Sequence, residues 1–280
     1  MRAAYHRVAH RESYEVVETC MRAQIASDLH HEVAVSGNTL VPLPLAADAE
    51  LLVLAGDIHV GTAAIDIYGQ YPVPVLYVHG NHEAYGHDYP EILESLEKRA
   101  RGTSVTFLEK RGCVLGDIRV LGACMWTDYS LNASSRKDAM EQAGSSLTDF
   151  RAIRRSENGL PLQPEDVSVY HHEAVRWLVR ELATPFTGKT VVITHHAPSI
   201  RSLPSTARAH RLAPAYAAGV ESLATQADVW IHGHVHASAD FYLGKCRVIA
   251  NPRGRPGKNR KNPSIHYENA QFNPVLTLDL

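Results

Sequence analysis

The sequence predicts an α/β fold built on buried sheet, and three observations lead there. Short apolar, β-branched runs recur along the chain, each stopped abruptly by glycine or a polar residue. Amphipathic helical patterns lie between several of these runs. No segment approaches the 18 consecutive apolar residues of a membrane-spanning helix. At 280 residues the chain makes one large domain or two small ones and can bury roughly 70–75% of the surface its unfolded form exposes, so it needs no covalent staples.

The elements follow in order. "RAQIASDLH" (22–30), "ELLVLAGD" (50–57) and "VPVLYVHGN" (73–81) read as strands feeding polar loops. "DYPEILESLEKRA" reads as a helix with Asp88 at its cap. "CVLGDIRVLGA" (113–123) reads as two strands around a Gly-Asp turn. Residues 130–165 are polar and Arg-rich with weak periodicity, either a loop-helix insertion over a site or a peripheral face. "HEAVRWLVRELA" places Val175, Leu178, Val179 and Leu182 on one helical face, with His171 and His172 expected to cap or solvate its start. "TVVITHH" (190–196) and "DVWIHGH" (228–234) are further strands, and "KCRVIANPRG" (245–254) is a strand stopped by Pro252. The tail "NPRGRPGKNRKN" (251–262), with five basic residues and two prolines, is expected to be irregular. No internal repeat is present.

Composition excludes several function classes. A net charge of −2 gives no global field that would draw nucleic acid or an anionic membrane onto the surface. Cys20, Cys113, Cys124 and Cys246 are scattered with no C-x-x-C pair, which argues against a zinc knuckle or a disulfide framework and fits a reducing cytoplasm. The first twenty residues lack an apolar signal core, so export has no support, and they are expected to be a dispensable extension. "ATPFTGKT" (183–190) imitates a phosphate loop, but it follows a helix and opens a strand, the reverse of what such a loop requires. The N-A-S triplet at Asn132 carries no weight without a secretory signal.

The unusual count is histidine, at 17, and "DVWIHGHVHA" sets three of them within five residues. In α/β sheets ligands bind beyond the carboxyl ends of the strands. The residues there are Asp28-Leu29-His30, Gly56-Asp57, Gly80-Asn81-His82-Glu83, His195-His196 and Gly233-His234-Val235-His236. Carboxylate, imidazole and amide oxygen together suit Mn, Fe or Zn better than a calcium cage or a thiolate site. An extended backbone would point both side chains of Asp28-x-His30, and both of His234-x-His236, to one side. Seven candidate ligands exceed one tetrahedral site, so two metals are expected, and an Asp is well suited to bridge cations about 3.5–4 Å apart.

The ordered set D-x-H, G-D, G-N-H-E, H-H and G-H-x-H resembles the calcineurin-like metallophosphoesterase superfamily, over roughly residues 21–254. The resemblance implies a compact bacterial-type member whose metallophosphoesterase domain spans residues 21–280. It implies a four-layer α/β/β/α sandwich with a dimetal site at the carboxyl ends of the strands. It assigns metal one to Asp28, His30, Asp57 and His236, and metal two to Asp57, Asn81, His195 and His234, with Asp57 bridging and Gly233 permitting the turn into the last two ligands. It places Asn81 and His82 at the substrate, with His82 helping the leaving oxygen depart. The implied reaction is attack on phosphorus by a metal-bridging hydroxide. The expected substrate is a phosphodiester or phosphomonoester, small or nucleotide-like. Two alternatives stand beside it: a nucleic-acid processing phosphodiesterase, favoured by the basic residues of 253–261, and a scaffold without catalysis.

Other residues carry weaker expectations. His196 is expected to orient the site or touch substrate, and Arg253 to bind the substrate anion just past a strand end. The arginines of "DFRAIRR" (149–155) form a solvated face or contact phosphate. "WTDY" (126–129) lines the pocket or packs. His31, His59 and His79 flank the motifs, and His232 is left without an assigned role.

Overall fold

A computed structural model describes residues 21–33, 42–131, 136–155, 159–257 and 266–280. The expected dispensable extension, Cys20, the triplet at Asn132 and the basic residues Lys258, Arg260 and Lys261 lie outside the described residues.

Two sheets form the centre. Strands β1 (Arg22–Ala26), β2 (Leu51–Ala55), β3 (Val75–Val78) and β4 (Val105–Phe107) run parallel in the first. The second contains β5 (Arg111–Leu115), β6 (Ile118–Ala123), β7 (Lys189–Thr194), β8 (Val229–His232), β9 (Ala239–Leu243) and β10 (Cys246–Ala250), in the order β5-β6-β7-β8-β10-β9. Its four central strands are parallel and its two edges antiparallel. Short strands β11 (Pro256–Gly257) and β12 (His266–Tyr267) pair with each other, so the tail expected to be irregular contains one small ribbon. Finally β13 (Thr277–Asp279) returns antiparallel beside β1, closing that edge of the first sheet.

The inner faces meet in one apolar layer: Ile25, Val53 and Val78 from the first sheet against Val120, Ile193, Ile231 and Ile249 from the second. Full burial of such side chains contributes about 1.5–3 kcal/mol each. Helices cover both outer faces. On the first sheet, α1 (Ala63–Tyr68) and α2 (Tyr89–Ala100) set Ile65, Tyr68, Ile92 and Leu96 in one core with Leu52, Leu54 and Tyr77. Helices α3 (Arg136–Ser146) and α4 (Asp149–Ala152), from the weakly periodic stretch, join the same core through Ala139, Met140 and Phe150. On the second sheet lie α5 (Pro164–Ala183) and α7 (Glu221–Ala224), which cluster with Val192, Trp230 and Val248. Helix α6 (Ala213–Tyr216) lies between these in sequence. The arrangement is the four-layer α/β/β/α sandwich.

Two helix details depart from expectation. α5 starts at Pro164 behind a Gln163/Asp166 capping box, so His171 and His172 sit inside it, and buried His171 turns Nδ1 toward the carbonyls of Met125 and Trp126. Its buried stripe is Ala174, Trp177, Leu178 and Leu182, while Val179 is 47% exposed. Burying the indole of Trp177 rotates the stripe by about one position, because that ring carries more apolar area than a valine. Asp88 does occupy the cap position of α2, but its side chain makes no capping bond and faces Arg154 at 3.4 Å instead.

Candidate metal centre

The loops after β1, β2, β3, β7 and β8 converge at one edge of the sandwich. Their backbones are not extended. Asp28, His30, Asp57, His234 and His236 all adopt left-handed φ, at 51°, 44°, 55°, 68° and 54°. Asp and His tolerate this region better than most residues, yet each such position costs of order 1–3 kcal/mol and persists only where its surroundings enforce it. The same-side expectation for Asp28 and His30 and for His234 and His236 therefore reaches convergence by a different backbone route. Gly233 likewise serves by its size rather than by a special φ: a Cβ there would meet the Ala55 carbonyl and Asp28 Oδ2 at 2.7 Å.

Cross-loop hydrogen bonds enforce the strain. Asp28 N–H donates to Gly56 O (2.9 Å), His30 N–H to Asp57 O (3.0 Å), and His234 N–H to Asp28 Oδ1 (3.0 Å). The buried Glu83 carboxylate accepts from Asp57 N–H (3.1 Å), Ile58 N–H (2.8 Å), Gly80 N–H (2.7 Å) and the Tyr77 hydroxyl (2.7 Å), clamping the loops after β2 and β3.

Among the described residues three donor groups result: His30, Glu32 and His82 form one, and the other two share a carboxylate. Asp28, His30, Asp57 and His236 bring one ligand atom each to within 4.8 Å of one another, and so do Asp57, His195 and His234. Asp57 belongs to both. Asn81 Oδ1 lies 3.2 Å from His195 Nε2, beside the second set. The imidazoles turn their inner nitrogens toward each other: His30 Nε2 and His236 Nε2 are 3.0 Å apart, and His195 Nε2 and His234 Nδ1 are 3.2 Å apart. Three of the outer nitrogens are engaged, His30 Nδ1 with Glu32 (3.0 Å), His236 Nδ1 with Glu268, and His195 Nδ1 with the Ala55 carbonyl (2.9 Å). An outer N–H donated to a carboxylate or carbonyl leaves the inner nitrogen with its lone pair, the tautomer a metal requires. This nitrogen-and-oxygen set, without a thiolate, fits two cations of the Mn, Fe or Zn kind.

Burial opposes protonation of His195 and His236, but Asp57 raises the first to about 9 and Asp28 and Glu268 raise the second to about 10, so a cation binding there would displace a proton from each. Burial opposes ionisation of Asp57, but the imidazoles of His195, His82 and His30 hold its carboxyl well below the usual range. Burial likewise raises Glu32, and the hydrogen bonds from His30 and His82 outweigh it, bringing the group to about 2. Glu268 is brought to about 2 by its bond with His236, against a smaller opposing effect of burial. His234 is pushed well below its ordinary value by burial and by His196 and His195.

A cleft of about 660 Å³ opens above these groups, bordered by Asp57, Asn81, His82, His234 and His236. Its walls come from Tyr85, from residues 146–149, from the segment 203–216, and from Arg255 and Glu268. Of the polar stretch 130–165, residues 146–149 thus lie at the site. His82 stands in the cleft with Nδ1 on Glu32 Oε1 (2.9 Å) and its backbone N–H on Asp57 Oδ1 (2.8 Å). Asp149 accepts from Asn81 Nδ2 (2.8 Å) and the Tyr85 hydroxyl (2.7 Å), which turns the Asn81 carbonyl toward His195.

Several expected residues are elsewhere. His196 is buried against His234, with ring centroids 4.1 Å apart and Nδ1 near the Cys124 carbonyl, and it does not border the cleft. Arg253 does not border the cleft; its guanidinium lies 4.6 Å over the Tyr267 ring. Arg151 serves the carbonyls of Ser145 and Ser146, Arg154 pairs with Asp88, and Arg155 with Asp166. Trp126 and Tyr129 are packing residues. His31 faces Tyr68, His59 the Val60 carbonyl, His79 Glu109, and His232 the Gly233 carbonyl.

Sequence reasoning gave no role to Glu32, Glu83, Asp149, Arg255 or Glu268. Glu83 is the last residue of G-N-H-E and Glu32 stands two positions after His30, so the signal for both was their place beside imidazoles and loops that need orienting. Glu268 carried no local signal, and Arg255 stood out only as one of the basic residues of 253–261.

The sandwich and its paired donor sets define a phosphoric ester hydrolase. The chain belongs to the calcineurin-like phosphoesterase family, whose model matches residues 21–238, more than three quarters of the chain. Members of this family depend on two metal ions. The phosphopantetheinyl hydrolase of Mycobacterium tuberculosis shares the fold, with a TM-score of 0.64 at 17% identity over 83% of this chain and 89% of that one. A calcineurin-like phosphoesterase of Bacillus subtilis aligns with a TM-score of 0.42 at 13% identity over 82% and 80%. No curated protein matches the chain in sequence. Among the described residues, no helix is long and apolar enough to cross a membrane.

Proposed function

We propose that the protein hydrolyses a small, nucleotide-sized phosphodiester or phosphomonoester. Asp28, His30, Asp57 and His236 would hold one cation, and Asp57, Asn81, His195 and His234 a second. The observation that supports this reading is the sharing of Asp57 between two donor sets at a small-molecule cleft. When bound, the two cations supply Lewis-acid polarisation of phosphoryl oxygens and lower the pKa of water.

The remaining work belongs to the chain. Glu32, Glu268 and the Ala55 carbonyl fix three imidazoles in the tautomer that presents a lone pair inward. Asp149 fixes the Asn81 amide. His82 is anchored through Nδ1 to Glu32, and its Nε2 lies in the cleft 2.7 Å from Arg255 Nη2; once protonated and released from that contact, Nε2 can deliver a proton to the leaving oxygen.

The test is a panel of phosphomonoesters, phosphodiesters, cyclic nucleotides and dinucleotides, assayed after chelation and reconstitution with Mn, Fe, Zn or Mg. Turnover of a generic aryl phosphodiester should vanish on chelation and return with a transition metal. Full activity in a verified metal-free preparation would overturn the reading.

A further inference from the structure

A phosphoryl anion entering the cleft needs a cationic partner besides the metals, and the arginine expected there, Arg253, is engaged with Tyr267. Two residues on, Arg255 borders the cleft and is the sole Arg or Lys to do so among the described residues. Its Nη2 lies 2.7 Å from His82 Nε2. No carboxylate lies within ion-pair distance of its guanidinium among the described residues; the nearby Glu268 accepts instead from the Arg255 backbone N–H at 2.9 Å. A guanidinium carries five donors in a planar fork suited to phosphate, and among the described residues one of them, on Nη2, meets a partner.

The backbone delivers this side chain to a fixed place. Arg253 N–H donates to Ser27 O and Gly254 N–H to Asp28 O, each at 3.0 Å, pinning the segment to the loop that carries the first donor set. Gly254 has φ of 75°, and a Cβ there would meet Glu268 Cβ at 2.8 Å. An extended chain would point residues 253 and 255 to the same side. The left-handed glycine breaks that alternation, leaving Arg253 on Tyr267 and Arg255 in the cleft.

We propose that Arg255 seats a non-bridging oxygen of the substrate phosphoryl group, leaving His82 to the ester oxygen. This rests on the phosphoesterase reading of the cleft. The oxygen takes the free donors of the guanidinium beside His82 Nε2, adding a charge-assisted contact to those the cations make.

The test uses the full chain loaded with Mn and compares wild type with Arg255→Ala and Arg255→Lys. Three quantities are measured: the Kd of inorganic phosphate by calorimetry, kcat and KM for bis(4-nitrophenyl) phosphate, and metal content by elemental analysis. Arg255→Ala should retain both ions while its phosphate Kd rises and its kcat/KM falls by roughly 10- to 100-fold, the span expected for one charged hydrogen-bonding partner. Arg255→Lys should recover part of both, since it restores the charge without the fork. Wild-type turnover combined with phosphate affinity in Arg255→Ala within twofold of wild type would overturn this inference alone. A wild-type protein that neither binds phosphate nor cleaves any ester with any metal would overturn the reading of the site and this inference with it.

Discussion

The clamp at Glu83 offers a direct test of how the centre is built. Its Oε1 accepts from Ile58 N–H and the Tyr77 hydroxyl, and its Oε2 from Asp57 N–H and Gly80 N–H. A Glu83→Gln side chain of nearly the same shape can keep its carbonyl on the Asp57 and Gly80 amides and turn its NH2 to Ile58 and Tyr77. The Tyr77 hydroxyl can rotate to accept, so one buried N–H is stranded. At about 1–3 kcal/mol for such a group, plus weaker bonds to a neutral acceptor, the cost should be about 2–4 kcal/mol. Glu83→Ala strands three amides and a phenol around a cavity and should cost on the order of 5 kcal/mol or more, a large part of the 5–15 kcal/mol typical of a domain. Urea unfolding of the chelated proteins measures both, and chelation keeps ion binding out of the comparison. In Glu83→Gln, an additional Tyr77→Phe change should cost less than the same change in wild type, because the strong phenol–carboxylate bond is already gone. A Glu83→Ala variant within about 1 kcal/mol of wild type would refute the argument that this carboxylate holds the two loops.

Three further expectations follow from the donor sets and the chain's edges. Asp57→Ala should lose metal from both sites while Asn81→Ala loses mainly one equivalent, counted by elemental analysis; two ions retained in Asp57→Ala would contradict bridging. His82→Ala should keep both ions and bind inorganic phosphate, yet lose turnover by about 10²–10⁴-fold, more for alkoxide than for nitrophenolate leaving groups. An equal defect across leaving groups would remove the acid role. Deleting residues 1–20 should leave the melting temperature unchanged, because β1 is flanked by β2 and β13 and Leu280 N–H bonds to Met21 O at 2.9 Å; a marked drop would show that the segment packs on the domain.

Much of the architecture was legible because its signals are local. A buried parallel strand is a short apolar run, and the loop after it is where the polar residues begin, so "ELLVLAGD" and "TVVITHH" announce both an element and the side chains it presents. β4 and β9 escaped notice: one is three residues long, and the other lies at a sheet edge with alternate residues exposed. The stripe of α5 was misplaced by one position because periodicity ranks residues by type, whereas packing ranks them by the area they bury.

The sequence by itself determined the α/β class, the family resemblance and the five loops whose donors converge, since each is a pattern of neighbouring residues. Tertiary structure decided how those donors are held and what else reaches them. His30 and His236 meet across 206 positions, and Glu268 reaches His236 from a tail with no pattern of its own. Left-handed φ at five donor residues sets their directions, and no alternation rule anticipates it. The two arginines of "NPRGR" show the same limit: they differ in role because Gly254 turns the chain between them and the surrounding loops decide which one finds an aromatic ring and which one finds the cleft.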